Sequence, residues 1–84
     1  MYKIAFSKQA AKKLKKISAN EAEIIINKIK ELAKNPFEFP NIKKITNHPG
    51  FRLRVGDWRV IYTIENKKLI IIVINIKTRG EAYK

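Results

Sequence analysis

Four arginines and one tyrosine are the side chains of this 84-residue chain best suited to handling a phosphate. Arg52, Arg54 and Arg59 flank a Gly56-Asp57 pair in FRLRVGDWRVIY, and Arg79 and Tyr83 follow in the C-terminal KTRGEAYK. All four arginines lie in the last 35 residues, whereas the first 50 residues carry lysine as their only cation. A guanidinium stays charged and presents planar, forked donors that match phosphate oxygens. Such groups can stabilise the charge that builds on a pentacoordinate phosphate without a metal. In RNA the nucleophile is already in the substrate, as the 2′-OH beside the scissile phosphate, so the protein has to position and stabilise. Tyr83 can stack on a base or act as acid or base; as a terminal aromatic it can equally anchor the chain end to the core.

Other chemistries find little material. One histidine, no cysteine and seven scattered acids leave no basis for a metal site, and Asp57, Glu65 and Glu81 do not form a spaced carboxylate pair. Metal-dependent hydrolysis is therefore not expected, and neither is a cofactor. Three glycines far apart make no phosphate-cradling loop. His48, alone in N-H-P-G, reads as a solvated loop histidine rather than a general base.

The charge of +12 on 9.8 kDa favours a polyanion, either nucleic acid or an acidic protein segment. A lysine- and isoleucine-rich surface serving solubility is the alternative source of that charge. No apolar stretch approaches the roughly 18 residues of a membrane span, so no membrane partner is expected. MYKIAF has neither the long apolar core nor the cleavage site of a signal peptide. The absence of cysteine fits the cytoplasm. Residues 1–84 are expected to form a single domain.

The elements that must position the arginines follow from periodicity. Residues 2 to 6, YKIAF, alternate and predict a strand. Ser7 can cap a helix with apolar Ala10, Ala11, Leu14 and Ile17. Ser18 or Asn20 can cap a second helix, whose stripe of Ala22, Ile25, Ile26, Ile29, Leu32 and Ala33 ends at Pro36. Residues 36 to 50 hold all three prolines without a sustained period and predict an ordered loop. Strands are expected at 51 to 55, 58 to 65 and 69 to 76, with two-residue turns at Gly56-Asp57 and Asn66-Lys67. The class is α+β: a β-α-α-β-β-β chain with an antiparallel sheet and a helical hairpin packed on one face.

Register makes the arginines informative. A two-residue turn at Gly56-Asp57 pairs Val55 with Trp58, Leu53 with Val60 and Phe51 with Tyr62 on the core face. The opposite face then pairs Arg54 with Arg59 and Arg52 with Ile61. Like charges directly across a strand pair are destabilising, and a bound anion would relieve the repulsion. A two-residue turn at Asn66-Lys67 would pair Glu65 with Lys68 and set Ile70, Ile72 and Ile74 on the arginine face. A strand apolar on both sides belongs inside the sheet.

The loop, FRLRVGDWRVIY, the apolar strand and TRGEAYK together resemble the RelE/ParE toxin superfamily over nearly the whole chain. The most specific part is R-L-R-V-G-D-aromatic-R-V-I-Y followed by an Arg…Glu-x-Tyr ending. The resemblance implies a RelE-like fold and the toxin half of a type II toxin–antitoxin system. RelE-type members cleave mRNA in the ribosomal A site, and an antitoxin neutralises them. The implied activity is therefore a metal-independent mRNA endoribonuclease. By position, Arg52 and Arg54 match the basic, substrate-binding pair on the first hairpin strand. Arg59 matches the phosphate-binding arginine after the turn, Arg79 the C-terminal catalytic arginine, and Tyr83 the tyrosine near the end. Some active members carry lysine where this chain has Arg52 and Arg54. Tyr62 matches a recurring aromatic, but its strand parity puts it in the core. The implied partners are mRNA in the A site and an antitoxin with an acidic or amphipathic segment. Two other readings stand beside this one: a ParE-like inhibitor of DNA gyrase, and a weak or inactive RelE-fold protein that binds nucleic acid or its antitoxin.

Overall fold

A computed structural model describes residues 1–82. The elements in order are β1 (Lys3–Phe6), α1 (Lys8–Lys16), α2 (Ala19–Lys34), β2 (Ile42–Lys44), β3 (Phe51–Val55), β4 (Trp58–Glu65), β5 (Ile70–Thr78) and α3 (Arg79–Ala82). Both long helices begin at a serine cap. Ser7 Oγ accepts from the Ala10 amide at 3.1 Å, and Ser18 Oγ from the Glu21 amide at 3.1 Å. Ser18, not Asn20, is thus the cap of α2, and each serine satisfies an amide that has no partner within the helix. The Ser7 hydroxyl also donates to the Ile74 carbonyl, tying the start of α1 to β5. Among the described residues no helix is long and apolar enough to cross a membrane.

The sheet has five strands in the order β1-β5-β4-β3-β2. Three pairings are antiparallel, but β1 runs parallel to β5, with Lys3 opposite Ile70 and Phe6 opposite Val73. The sheet is thus mostly antiparallel, as expected, with a parallel β1–β5 contact at one edge. A parallel neighbour needs a long crossover, which the helices and the remaining strands supply. A correction lies between residues 36 and 50, where Ile42–Lys44 adds an edge strand to β3. Three residues are too few to show a period, so this strand exists through its pairing.

The first hairpin has the register that its turn chemistry demands: Val55 opposite Trp58, Arg54 opposite Arg59, Leu53 opposite Val60, Arg52 opposite Ile61 and Phe51 opposite Tyr62. Gly56 has φ +58, the conformation a type II′ turn asks of its first central residue. The second turn differs from expectation. It is a four-residue loop, 66–69, closed by Leu69 N–H donating to the Asn66 carbonyl, and it pairs Glu65 with Ile70 rather than with Lys68. A register shift between Ile61 and Tyr62 then changes the parity of β5. Ile70 and Ile72 lie opposite Glu65 and Thr63, away from the core, as expected. Beyond the shift, Asn75 stands opposite Ile61 and Lys77 opposite Arg59, so these residues rather than Ile74 continue the arginine face. Buried positions on β5 record the irregularity directly: Ile71, Val73 and then Ile76.

The core joins Ala10, Ile25, Ile29, Leu32 and Ala33 of the helices to Leu53, Val55, Val60, Tyr62, Ile71, Val73 and Ile76 of the sheet. A fully buried aliphatic side chain of this size contributes roughly 1.5–3 kcal/mol. Tyr62 is fully buried and stacks on Phe51 at 5.6 Å, in the structural place that its parity predicts.

Candidate functional site

The two hairpin strands carry the arginines on the face opposite Leu53, Val55 and Val60, because successive side chains of a strand alternate. Across three strands, Arg54, Arg59 and Lys77 stand abreast in register. Three cations in a row repel, and groups of the chain itself offset part of that repulsion. Arg59 is 6% exposed, and its Nη1 donates to the Gly56 carbonyl at 2.9 Å and the Trp58 carbonyl at 3.0 Å. Its guanidinium therefore braces the hairpin turn from within. Arg54 is exposed, and its Nη2 donates to Asn41 Oδ1 at 3.2 Å. Asn41 has φ +65 and also accepts the Arg54 amide through its carbonyl at 3.0 Å. Asparagine is among the few residues that tolerate this backbone conformation, so residue type and position agree. Arg52 is half-buried between Ile61 on one side and Lys43 of β2 on the other.

Arg79 reaches the same place from the far end of the chain. Its amide donates to the Asp57 carbonyl at 2.7 Å, which ties the start of α3 to the hairpin turn. A small capping box holds that helix. The Thr78 amide donates to Glu81 Oε1 at 2.9 Å, and the Glu81 amide donates to Thr78 Oγ1 at 3.3 Å. These bonds from Thr78, followed by the charges of Lys13 and Lys77, hold the Glu81 carboxyl below its ordinary range. The T-x-x-E spacing was legible in the sequence as a helix start and had not been singled out.

Arg52, Arg54, Arg59 and Arg79 line one concavity of about 830 Å³, together with Lys28, Lys43 and Asp57. Six cations and one carboxylate line it, so the hollow is strongly basic. Its volume suits a nucleotide-sized ligand. Of the five expected site residues, the four arginines converge; Tyr83 lies outside the described residues. Lys28, Lys43 and Asn41 are polar lining residues that sequence reasoning missed. I-K-K-I does not alternate and gives no local signal for Lys43, and Lys28 enters only because α2 packs beside the hairpin. His48 is not part of this lining, and its Nδ1 accepts from the Gly50 amide at 2.8 Å within the loop. Tyr62 is likewise remote from this chemistry, with burial pushing its hydroxyl up to about 12.

The description "ParE toxin of type II toxin–antitoxin system" belongs to the family model that matches residues 4–83. No curated protein sequence matches the chain significantly. Among solved structures, a chain of the archaeal RelE–RelB complex from Pyrococcus horikoshii OT3 is similar at a TM-score of 0.81 and 25% identity, over 94% of this chain and 96% of that one. A chain of the intact Escherichia coli RelBE toxin–antitoxin complex has a TM-score of 0.78 at 23% identity, over 93% and 96%. The YoeB/ParE toxin from Agrobacterium tumefaciens has a TM-score of 0.77 at 14% identity, over 90% and 96%. The last two are likenesses of fold alone. A match over nearly the whole length, on a fold shared with RelE toxins, makes this chain a member of the ParE toxin family of type II toxin–antitoxin systems.

Proposed function

We propose that this toxin is an mRNA endoribonuclease that acts in the ribosomal A site, in the cytoplasm, by metal-independent attack of the substrate 2′-OH. The observation that carries this reading is the convergence of Arg52, Arg54, Arg59 and Arg79, from β3, β4 and α3, on one strongly basic concavity. In the reaction the 2′-oxygen attacks the adjacent phosphorus and the 5′-oxygen of the next nucleotide leaves. The products are a 2′,3′-cyclic phosphate and a 5′-hydroxyl. Charge accumulates on the non-bridging oxygens, where guanidinium donors stabilise it. Arg52 and Arg54 hold the substrate backbone. Arg79 contacts the phosphate that reacts, and Arg59 adds its charge while keeping the turn in place. Tyr83 acts from the C-terminus, by stacking on a base or by moving a proton. An antitoxin segment, acidic or amphipathic, neutralises the toxin by covering this basic surface. Two of the similar structures come from complexes of RelE with RelB, which supports a partner of that kind.

Removing one such donor typically lowers a rate by about 10²–10³. Arg79→Ala should accordingly lose cleavage of translated mRNA, read as 5′-end maps after brief induction, while keeping the thermal unfolding profile of the wild type. Normal cleavage by that variant would refute the assignment of the site. Inhibition of DNA gyrase is the second reading, favoured by the ParE family match. A supercoiling assay in parallel separates the two: lost supercoiling without new mRNA ends would replace the nuclease reading.

A further inference from the structure

A second basic hollow lies outside the arginine concavity. It measures about 250 Å³ and is lined by Lys12, Lys13, Lys16 and Lys77, with Gln9 and Glu81 among its other residues. Helix α1 reads KQAAKKLKK, five lysines in nine residues with no acid. Lys12 and Lys16 sit one helical turn apart, a like-charge spacing that works against the helix. A pattern that serves only helix stability would place a carboxylate at one of them. Lys13 is paired with Glu81 at 3.7 Å, through contact with another element. Among the described residues, Lys12, Lys16 and Lys77 have no such ion pair.

Three further observations identify what would fit. First, Lys77 stands directly across from Arg59 in the β4–β5 pairing, so one residue of each lining meets across that strand pair. Second, no aromatic residue lines the second hollow among the described residues, which there offer a nucleic-acid base nothing to stack on. Third, none of the exposed large apolar side chains, Met1, Phe6, Ile24, Phe37 and Leu69, belongs to it. Ile76 is the apolar residue of that lining and is fully buried, so an amphipathic peptide would find charge there but no exposed apolar residue among the described ones. Phosphates need only the charge. Lysine is a flexible point charge suited to contact without geometric selection, unlike the forked arginines next door.

We infer that Lys12, Lys16 and Lys77 form a second phosphate-binding surface, which holds the backbone of a nucleic-acid duplex beside the arginine concavity without reading its sequence. The inference rests on the reading that the concavity takes a nucleic-acid phosphate. It extends that reading from the reacting strand to the structured nucleic acid around it.

The test uses the purified full-length toxin and labelled 20-base-pair RNA and DNA duplexes of matched sequence, with binding followed by fluorescence anisotropy over a salt series. Each phosphate contact contributes about 0.9 to the slope of log affinity against log salt. The triple variant Lys12→Gln/Lys16→Gln/Lys77→Gln should lower that slope by roughly 2–3. The control Lys34→Gln/Lys67→Gln/Lys68→Gln removes the same charge from the α2 end and the β4–β5 loop, and should lower it by less than about 1. The duplex giving the larger difference identifies the nucleic acid. Equal slopes for the two triple variants would overturn the inference. So would a lysine variant that binds both duplexes as the wild type does but loses affinity for an acidic peptide. If the slopes behave as expected while the wild type leaves translated mRNA intact, the cleavage reading fails and this surface stands.

Discussion

Replacing Tyr62 by phenylalanine should stabilise this toxin while leaving its activity intact. The substitution keeps the ring, its 5.6 Å stacking on Phe51 and its place in the core, and removes only the hydroxyl. That oxygen is buried and has no hydrogen-bond partner among the described residues. An unsatisfied buried hydroxyl costs about 1–3 kcal/mol, so its removal should recover about 1 kcal/mol. For a domain of this size that corresponds to a rise in Tm of roughly 4–8 °C. The effect should also depend on pH, because burial pushes the hydroxyl up from 10.0 to about 12. Below pH 10 both folded and unfolded chains keep the proton, and ionisation takes nothing from wild-type stability. Between about pH 10 and 12 the unfolded chain loses the proton first, and wild-type stability falls by up to roughly 1.4 kcal/mol per pH unit. The phenylalanine variant lacks that loss, so its advantage should widen as pH rises. Urea melts of both proteins at pH 7 and pH 11 measure this, since lysine deprotonation affects the two alike. A variant less stable than wild type by about 1 kcal/mol at pH 7 would show that the hydroxyl has a partner, and would refute the reasoning.

Arg54→Thr removes one member of the Arg54–Arg59–Lys77 row; it should raise stability by about 0.5 kcal/mol in thermal melts yet lower mRNA cleavage by roughly a hundredfold. A variant that gains stability and keeps its activity would remove Arg54 from the site. Gly50→Ala should destabilise by about 1–3 kcal/mol in urea melts, because its Cβ would lie 2.9 Å from the Tyr62 carbonyl, a backbone atom of β4 that cannot swing aside. Acidification should loosen α3 before the rest of the fold. Glu81 is held below its ordinary range by bonds from Thr78, so the stability it gives is present above that range and is lost as pH falls through its lowered value. The protection factors of the Thr78 and Glu81 amides should then fall on acidification in the wild type but not vary with pH in Glu81→Gln.

How the chain divides its cations becomes clear in the fold. Arginine occupies positions where a donor is aimed: Arg59 on two turn carbonyls and Arg54 on Asn41 Oδ1. Lysine covers α1, where charge alone is presented. The Arg54–Arg59 pair is legible in the sequence, where it reads as a repulsion that an anion could relieve. The structure sharpens this: carbonyl and amide oxygens of the chain hold both guanidiniums, so the row of cations is preorganised rather than merely strained.

Sequence by itself determined whatever depends on near neighbours along the chain. Serine caps, the apolar stripes of two helices and the Gly56-Asp57 turn are local, and the turn sets the register that puts Arg54 opposite Arg59. Tyr62 could be assigned to the core for the same reason, because strand parity carries from one residue to the next. Tertiary structure alone decided what depends on distant pairings. The parallel contact of β1 with β5 joins residues more than sixty positions apart, and β2 is a strand only because β3 lies beside it. The shift at Ile61/Tyr62 gives β5 one extra residue, which brings Lys77 rather than an isoleucine opposite Arg59. Arg79 meets the hairpin because its amide finds the Asp57 carbonyl, a bond that no local period announces. Side chains of the site were thus readable as types, but their convergence follows from long-range hydrogen bonds that local periodicity does not encode.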